Sequence, residues 1–86
     1  MSQVKVYGAD WCGMTRRTLS FLDGLGVEYQ YINVEKDDRA SKWVKEQAAG
    51  KEKKPTVDVA GKILVTPDDD ELEELLREQN LLPAAQ

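Results

Sequence analysis

The sequence predicts a small α/β protein: a four-stranded mixed sheet with three helices, in the order β-α-β-α-β-β-α. Three observations carry this. Short β-prone runs alternate with stretches of helical period. The first two runs are separated by a helix-length segment, so those strands pair in parallel. The last two are separated only by Ala60-Gly61, so they form an antiparallel hairpin.

The elements follow in order. "VKVYG" (4–8) alternates, with Val4 and Val6 on one face, and reads as the first strand. From Cys12 the period becomes helical. Met14, Thr18, Leu22 and Leu25 share a stripe that Leu19 and Phe21 widen, and Gly26 supplies a C-cap. "VEYQYINV" (27–34) is β-branched and aromatic, hence the second strand. "DDRASKWVKEQAAG" (37–50) opens with acids and stops at Gly50, with Ala40, Trp43, Val44 and Ala48 on its apolar side. A basic loop, "GKEKK" (50–54), leads to Pro55 and the hairpin "TVDV"–"KILV". Thr66 then reads as an N-cap with Pro67 in the first helical position. Asp68, Asp69, Asp70 and Glu71 sit where the helix dipole favours negative charge. Leu72, Leu75 and Leu76 give this third helix its apolar stripe, and "LLPAAQ" reads as a fraying tail.

The chain has 86 residues, 41% hydrophobic and 33% charged, which suits one domain over 1–86 with no linker or repeat. Nothing approaches the roughly 18-residue apolar stretch of a membrane span, and the N-terminus has no secretory pattern. The net charge is −4, with seven acids and one arginine over 68–78. Such an acidic stretch argues against nucleic-acid binding, which needs a basic face, and reads as a solvated helix surface. Histidine is absent. This excludes Cys-His and Ser-His-Asp nucleophile systems and the usual zinc sites, and no metal site is expected. One cysteine builds no internal disulfide, which favours a reducing compartment, the cytoplasm. "GADWCG" lacks the Gly-Lys-Ser/Thr ending of a phosphate loop.

The chemistry therefore concentrates on Cys12, at the strand-to-helix junction "YGADWCGMTRR". A helix N-terminus presents unpaired N–H groups and a positive dipole end, both of which favour thiolate over thiol. Thr15 lies one helical turn on, with a hydroxyl to donate to the sulfur, and Arg16 and Arg17 add positive charge while Asp10 opposes it. A lowered thiol pKa is expected. The plain alternative is a buried, inert cysteine. Trp11, beside the sulfur, is expected on an exposed contact surface, while Tyr7 and Trp43 are expected to be structural.

The element order, with Cys12 at the first turn and Pro55 just before the third strand, resembles the thioredoxin fold. In length the chain is similar to a glutaredoxin. The features that carry the likeness cover nearly the whole chain: "YGADWCGMT", "KKPTVDV" and the hairpin followed by an acidic helix. The resemblance implies a cis-proline at Pro55, with the Lys54 backbone pairing with a bound substrate chain and Lys53 and Lys54 brought beside Cys12. Cys12-Gly13-Met14-Thr15 is similar to the family's monothiol pattern, in which a hydroxyl residue replaces the second cysteine. The family's Gly-Gly before the last helix is absent from "LVTPDDD", and its Thr-Val-Pro is here Lys53-Lys54-Pro55.

The function this implies is a monothiol thiol–disulfide oxidoreductase. Cys12 and Thr15 are its catalytic residues, the first as nucleophile and the second as hydroxyl donor to the sulfur, and Trp11, Gly13, Arg16, Lys53, Lys54 and Pro55 its substrate contacts. It needs no resident cofactor. Glutathione or another low-molecular-weight thiol is the co-substrate, protein disulfides or mixed disulfides are the partners, and the protein acts as a monomer. Two other readings stay open. One is an iron–sulfur carrier in which two subunits each give Cys12 and external thiols complete the ligation. The other is a non-catalytic adaptor or redox sensor.

Overall fold

The computed structural model of the protein describes residues 2–83. Its elements are β1 (Val4–Gly8), α1 (Gly13–Leu25), β2 (Gln30–Asn33), α2 (Asp38–Gln47), β3 (Thr56–Val59), β4 (Lys62–Val65) and α3 (Asp69–Glu78). The strands form one sheet in the order β2-β1-β3-β4. β1 runs parallel to β2 and antiparallel to β3, and β3 pairs antiparallel with β4. The expected order and mixed pairing are those observed.

Strand alternation divides the interior in two. Val4 and Val6 of β1 and Val57 and Val59 of β3 face Leu22 of α1 and Leu72 and Leu76 of α3. On the opposite face, Val34 with Ala40 and Val44 of α2 forms a smaller cluster that gathers Tyr7, Ile32 and Trp43. The Tyr7 and Trp43 rings lie 4.6 Å apart at 34°. Each fully buried aliphatic side chain contributes about 1.5–3 kcal/mol. Helices on both faces thus sandwich β1, and its C-terminal end is where the chain turns into α1. No helix among the described residues is long and apolar enough to cross a membrane.

Several boundaries differ from the sequence expectation for local reasons. β2 begins at Gln30 rather than Val27, because Val27 is committed to the end of α1. Gly26 takes φ 73° as its C-cap, and the Val27 N–H donates to the Leu22 carbonyl at 3.1 Å. α2 ends at Gln47, short of Gly50, as Ala49 and Gly50 turn through positive φ. The largest correction is at α3. Thr66 is no N-cap: the chain turns there with φ 45°, and its N–H donates to the Pro55 carbonyl at 2.9 Å, prolonging the β3–β4 pairing, two residues before the helix cap. Asp68 caps instead, its carboxylate accepting from the Glu71 N–H at 2.8 Å, so Pro67 stays outside the helix.

The tail also differs from the expectation. Leu81 and Leu82 pack on the main core, and the Leu81 N–H donates to the Leu76 carbonyl at 2.9 Å. Residues 84–86 lie outside the described residues.

Candidate functional site

Cys12 is the N-cap residue of α1, with extended backbone angles, and its carbonyl receives the Arg16 N–H at 3.1 Å. Its own N–H closes a turn onto the Ala9 carbonyl at 3.1 Å. The sulfur therefore stands where the first-turn N–H groups have no helical partners. As a thiol it donates to the Lys54 carbonyl, 3.9 Å away. The Lys54–Pro55 bond is cis, as the resemblance implied. The turn after β1 and the turn before β3 thus meet at one sulfur.

Partial burial alone would push the Cys12 thiol up. Four contributions outweigh it: the Thr15 hydroxyl, the Thr15 and Met14 N–H groups, and the Lys54 ammonium. The net result is a thiol pKa below its ordinary value. The expected charge from Arg16 and Arg17 is not what does this. Arg16 is exposed and its side chain makes no hydrogen bond or ion pair with a described residue, while Arg17 turns toward a neighbouring groove. Hydrogen-bond donors and Lys54 supply what the arginines were expected to supply.

Thr15 is fully buried. Its side chain lies on the backbone of Gly8, where any Cβ would collide with it, and its hydroxyl oxygen accepts from the Ala9 N–H at 3.4 Å. Accepting there leaves its proton for the sulfur. Gly13 is exposed at the first helical position, with open space around it. Met14 is no part of the core. It is 46% exposed, because the buried stripe of α1 is Thr15, Thr18 and Leu22.

Around Cys12 the other expected residues divide. Trp11 is 63% exposed. Pro55 is buried. Lys54 is folded inward, its ammonium 2.9 Å from Glu52 and 5.1 Å from the Trp11 ring centre. Glu52 also accepts from the Ser41 hydroxyl of α2, and both partners hold its carboxyl below the usual range. Lys53 stays exposed, and its carbonyl accepts from the Thr56 hydroxyl at 2.9 Å. On the far side, Tyr31 donates to Asp10 at 2.7 Å; burial and that carboxylate raise the phenol pKa.

Between α1 and the start of α3 runs a groove of about 410 Å³, in which Met14, Arg17 and Thr18 face Thr66, Pro67 and the aspartates 68–70. The sequence reading missed Gly8, Glu52, this groove and Glu35, whose carboxylate accepts from the Trp11 indole N–H. Only Gly8 left a signal, a glycine at the end of a strand, where close backbone approach is common.

A four-stranded mixed sheet with a lone cysteine at its first strand-to-helix turn, facing a cis-proline, defines a thioredoxin-like redox protein. The glutaredoxin family model matches residues 4–64, and the chain belongs to the glutaredoxin family. It is 44% identical over 57 residues to mycoredoxin 1 of Corynebacterium glutamicum, a match covering 66% of this chain and 70% of that one. Among solved structures, it is similar to the glutaredoxin of Archaeoglobus fulgidus, at 28% identity and a TM-score of 0.73, covering 90% and 88% of the two chains. The fold is shared with the buckwheat glutaredoxin–glutathione complex at 24% identity and a TM-score of 0.67, covering 92% of this chain and 72% of that one.

Proposed function

We propose that the chain is a monothiol thiol–disulfide oxidoreductase with Cys12 as nucleophile. One observation carries this. The chain's only cysteine stands at the N-cap position of α1, where the Thr15 hydroxyl and first-turn N–H groups lower its thiol pKa. The Cys12 thiolate attacks one sulfur of a disulfide R–S–S–R′. A Cys12–S–S–R bond forms, and R′–S⁻ leaves and is protonated from water. With no second cysteine in the chain, an external thiol R″–SH, as its thiolate, attacks the R sulfur. It releases the Cys12 thiolate and departs as R–S–S–R″. The balance is one disulfide reduced and one formed, with Cys12 unchanged.

Trp11, Gly13, Arg16, Lys53, Lys54 and Pro55 are assigned to substrate contact, with the Lys54 backbone beside the bound chain. Glutathione is one candidate thiol. The fold likeness to a glutathione complex supports it.

Mass spectrometry tests the reading. Oxidised glutathione should add one glutathionyl group to the folded protein, on Cys12, and excess reduced glutathione should remove it. A Cys12 that stays unmodified in the folded chain, yet reacts once unfolded, overturns it.

A further inference from the structure

Trp11 is the most exposed large apolar side chain of the described residues, yet its indole is held from two sides. Its Nε1–H donates to Glu35 Oε2 at 2.7 Å. Glu35 is itself fixed, because its backbone N–H donates to the Asn33 side chain at 2.9 Å where β2 ends. Over the ring stands the Lys54 ammonium, which Glu52 holds at 2.9 Å, and Glu52 is tied to Ser41 of α2. A short hydrogen bond to a carboxylate and a cation over the ring face together select one orientation.

Core packing does not account for this clamp, since Trp11 touches neither hydrophobic cluster. Ordering an exposed side chain costs entropy, and apolar burial in the core does not offset it here. The only other exposed large apolar residue among those described is Met14, and the two flank Cys12 in the sequence. A side chain already ordered when a partner arrives spares the partner that cost on binding.

We propose that Glu35 is a positioning residue that fixes Trp11 as a rigid apolar wall beside the Cys12 sulfur. The wall meets the polypeptide that carries the disulfide, and so selects disulfides with peptide next to the sulfur over bare small ones. The inference rests on Cys12 as nucleophile and Trp11 as contact surface, and adds what holds Trp11.

Two probes test it: a short cysteine peptide and 2-mercaptoethanol, each as its mixed disulfide with 2-nitro-5-thiobenzoate. Attack by the Cys12 thiolate on the peptide or mercaptoethanol sulfur forms the Cys12 mixed disulfide and releases the coloured nitrothiobenzoate anion in both cases. The ratio of the two second-order rates therefore reads peptide recognition, with thiol reactivity cancelled. Trp11→Ala should lower the peptide preference about three- to tenfold, the range expected of one aromatic contact. Glu35→Ala should lower it by a comparable factor. Glu35→Gln keeps an oxygen acceptor and should restore it. The Trp11 indole N–H resonance, assigned with Trp11→Phe, should move upfield in Glu35→Ala and stay near its place in Glu35→Gln. Glu35 is exposed, so all variants should fold. A Glu35→Ala chain that keeps both the preference and the resonance position overturns the positioning role. A Trp11→Ala chain that keeps the preference overturns the contact surface beneath it, and the proposal with it.

Discussion

Thr15 rests its side chain directly on the backbone of Gly8, and a single added methyl at Gly8 would occupy the same space. The relationship joins the end of β1 to the first turn of α1 beneath the sulfur. Gly8→Ala should therefore destabilise the fold by about 1–3 kcal/mol through overpacking. It should also displace the Thr15 hydroxyl and raise the Cys12 pKa. Chemical denaturation and a thiol titration on the same variant check both effects. An alanine accepted at no cost would mean that Thr15 does not lie on Gly8.

The pH dependence follows from the lowered thiol pKa. An ordinary cysteine titrates near about pH 8.5. Cys12 alkylation should rise through a midpoint below that. Thr15→Val removes the hydroxyl that accounts for the largest lowering, so its midpoint should move up toward the ordinary value, whereas Thr15→Ser should keep most of the shift. The same linkage gives a sign for stability. The folded state holds the thiol proton less tightly than the unfolded state, so this contribution is present above the unfolded pKa. It is lost as pH falls through the folded one. Far-ultraviolet thiolate absorbance against pH measures the midpoints. Identical midpoints for all three chains would remove the hydroxyl from the site.

Thr15→Cys should convert the site to a dithiol. Residues three apart share a helix face, and Thr15 already donates toward the sulfur. Cysteine is smaller than threonine, so Gly8 remains uncrowded. Oxidation should close an intramolecular disulfide that dithiothreitol reopens, with little loss of stability. The free-thiol assay of the oxidised monomer reads this directly, and two titratable thiols after oxidation would place residue 15 away from residue 12.

At α3, Asp68→Ala should cost about 1 kcal/mol of stability through loss of the cap on Glu71. Thr66→Ala removes no cap and should cost less. Thermal melts of the two variants separate the alternatives, and the reverse order would restore Thr66 as the cap.

Much of this was legible in the sequence, because the signals were local and strong. Alternation in "VKVYG", the Ala60-Gly61 turn and the Gly26 stop each act within a few residues, and a cysteine just before a helical pattern must sit at a helix end. What the sequence did not show depends on distant partners. Whether Thr66 or Asp68 caps α3 is decided by where the β3–β4 pairing ends: the Thr66 N–H still donates to the Pro55 carbonyl, so Thr66 stays with the hairpin and the helix starts after Asp68. Arg16 and Arg17 are neighbours in sequence but point about 100° apart around a helix, so composition cannot say which faces the groove. Lys54 looked like a free cation until folding brought Glu52 and Trp11 to it. Leu81 and Leu82 looked like a loose end because their cover is the core itself.

The absence of a sulfur at position 15 has a consequence for the oxidised protein. Every disulfide this chain forms joins it to another molecule. Its oxidised form is therefore a conjugate, heavier than the reduced chain by the group it last captured. Weighing the intact protein, taken from cells under acid to stop exchange, reads the partner as a mass.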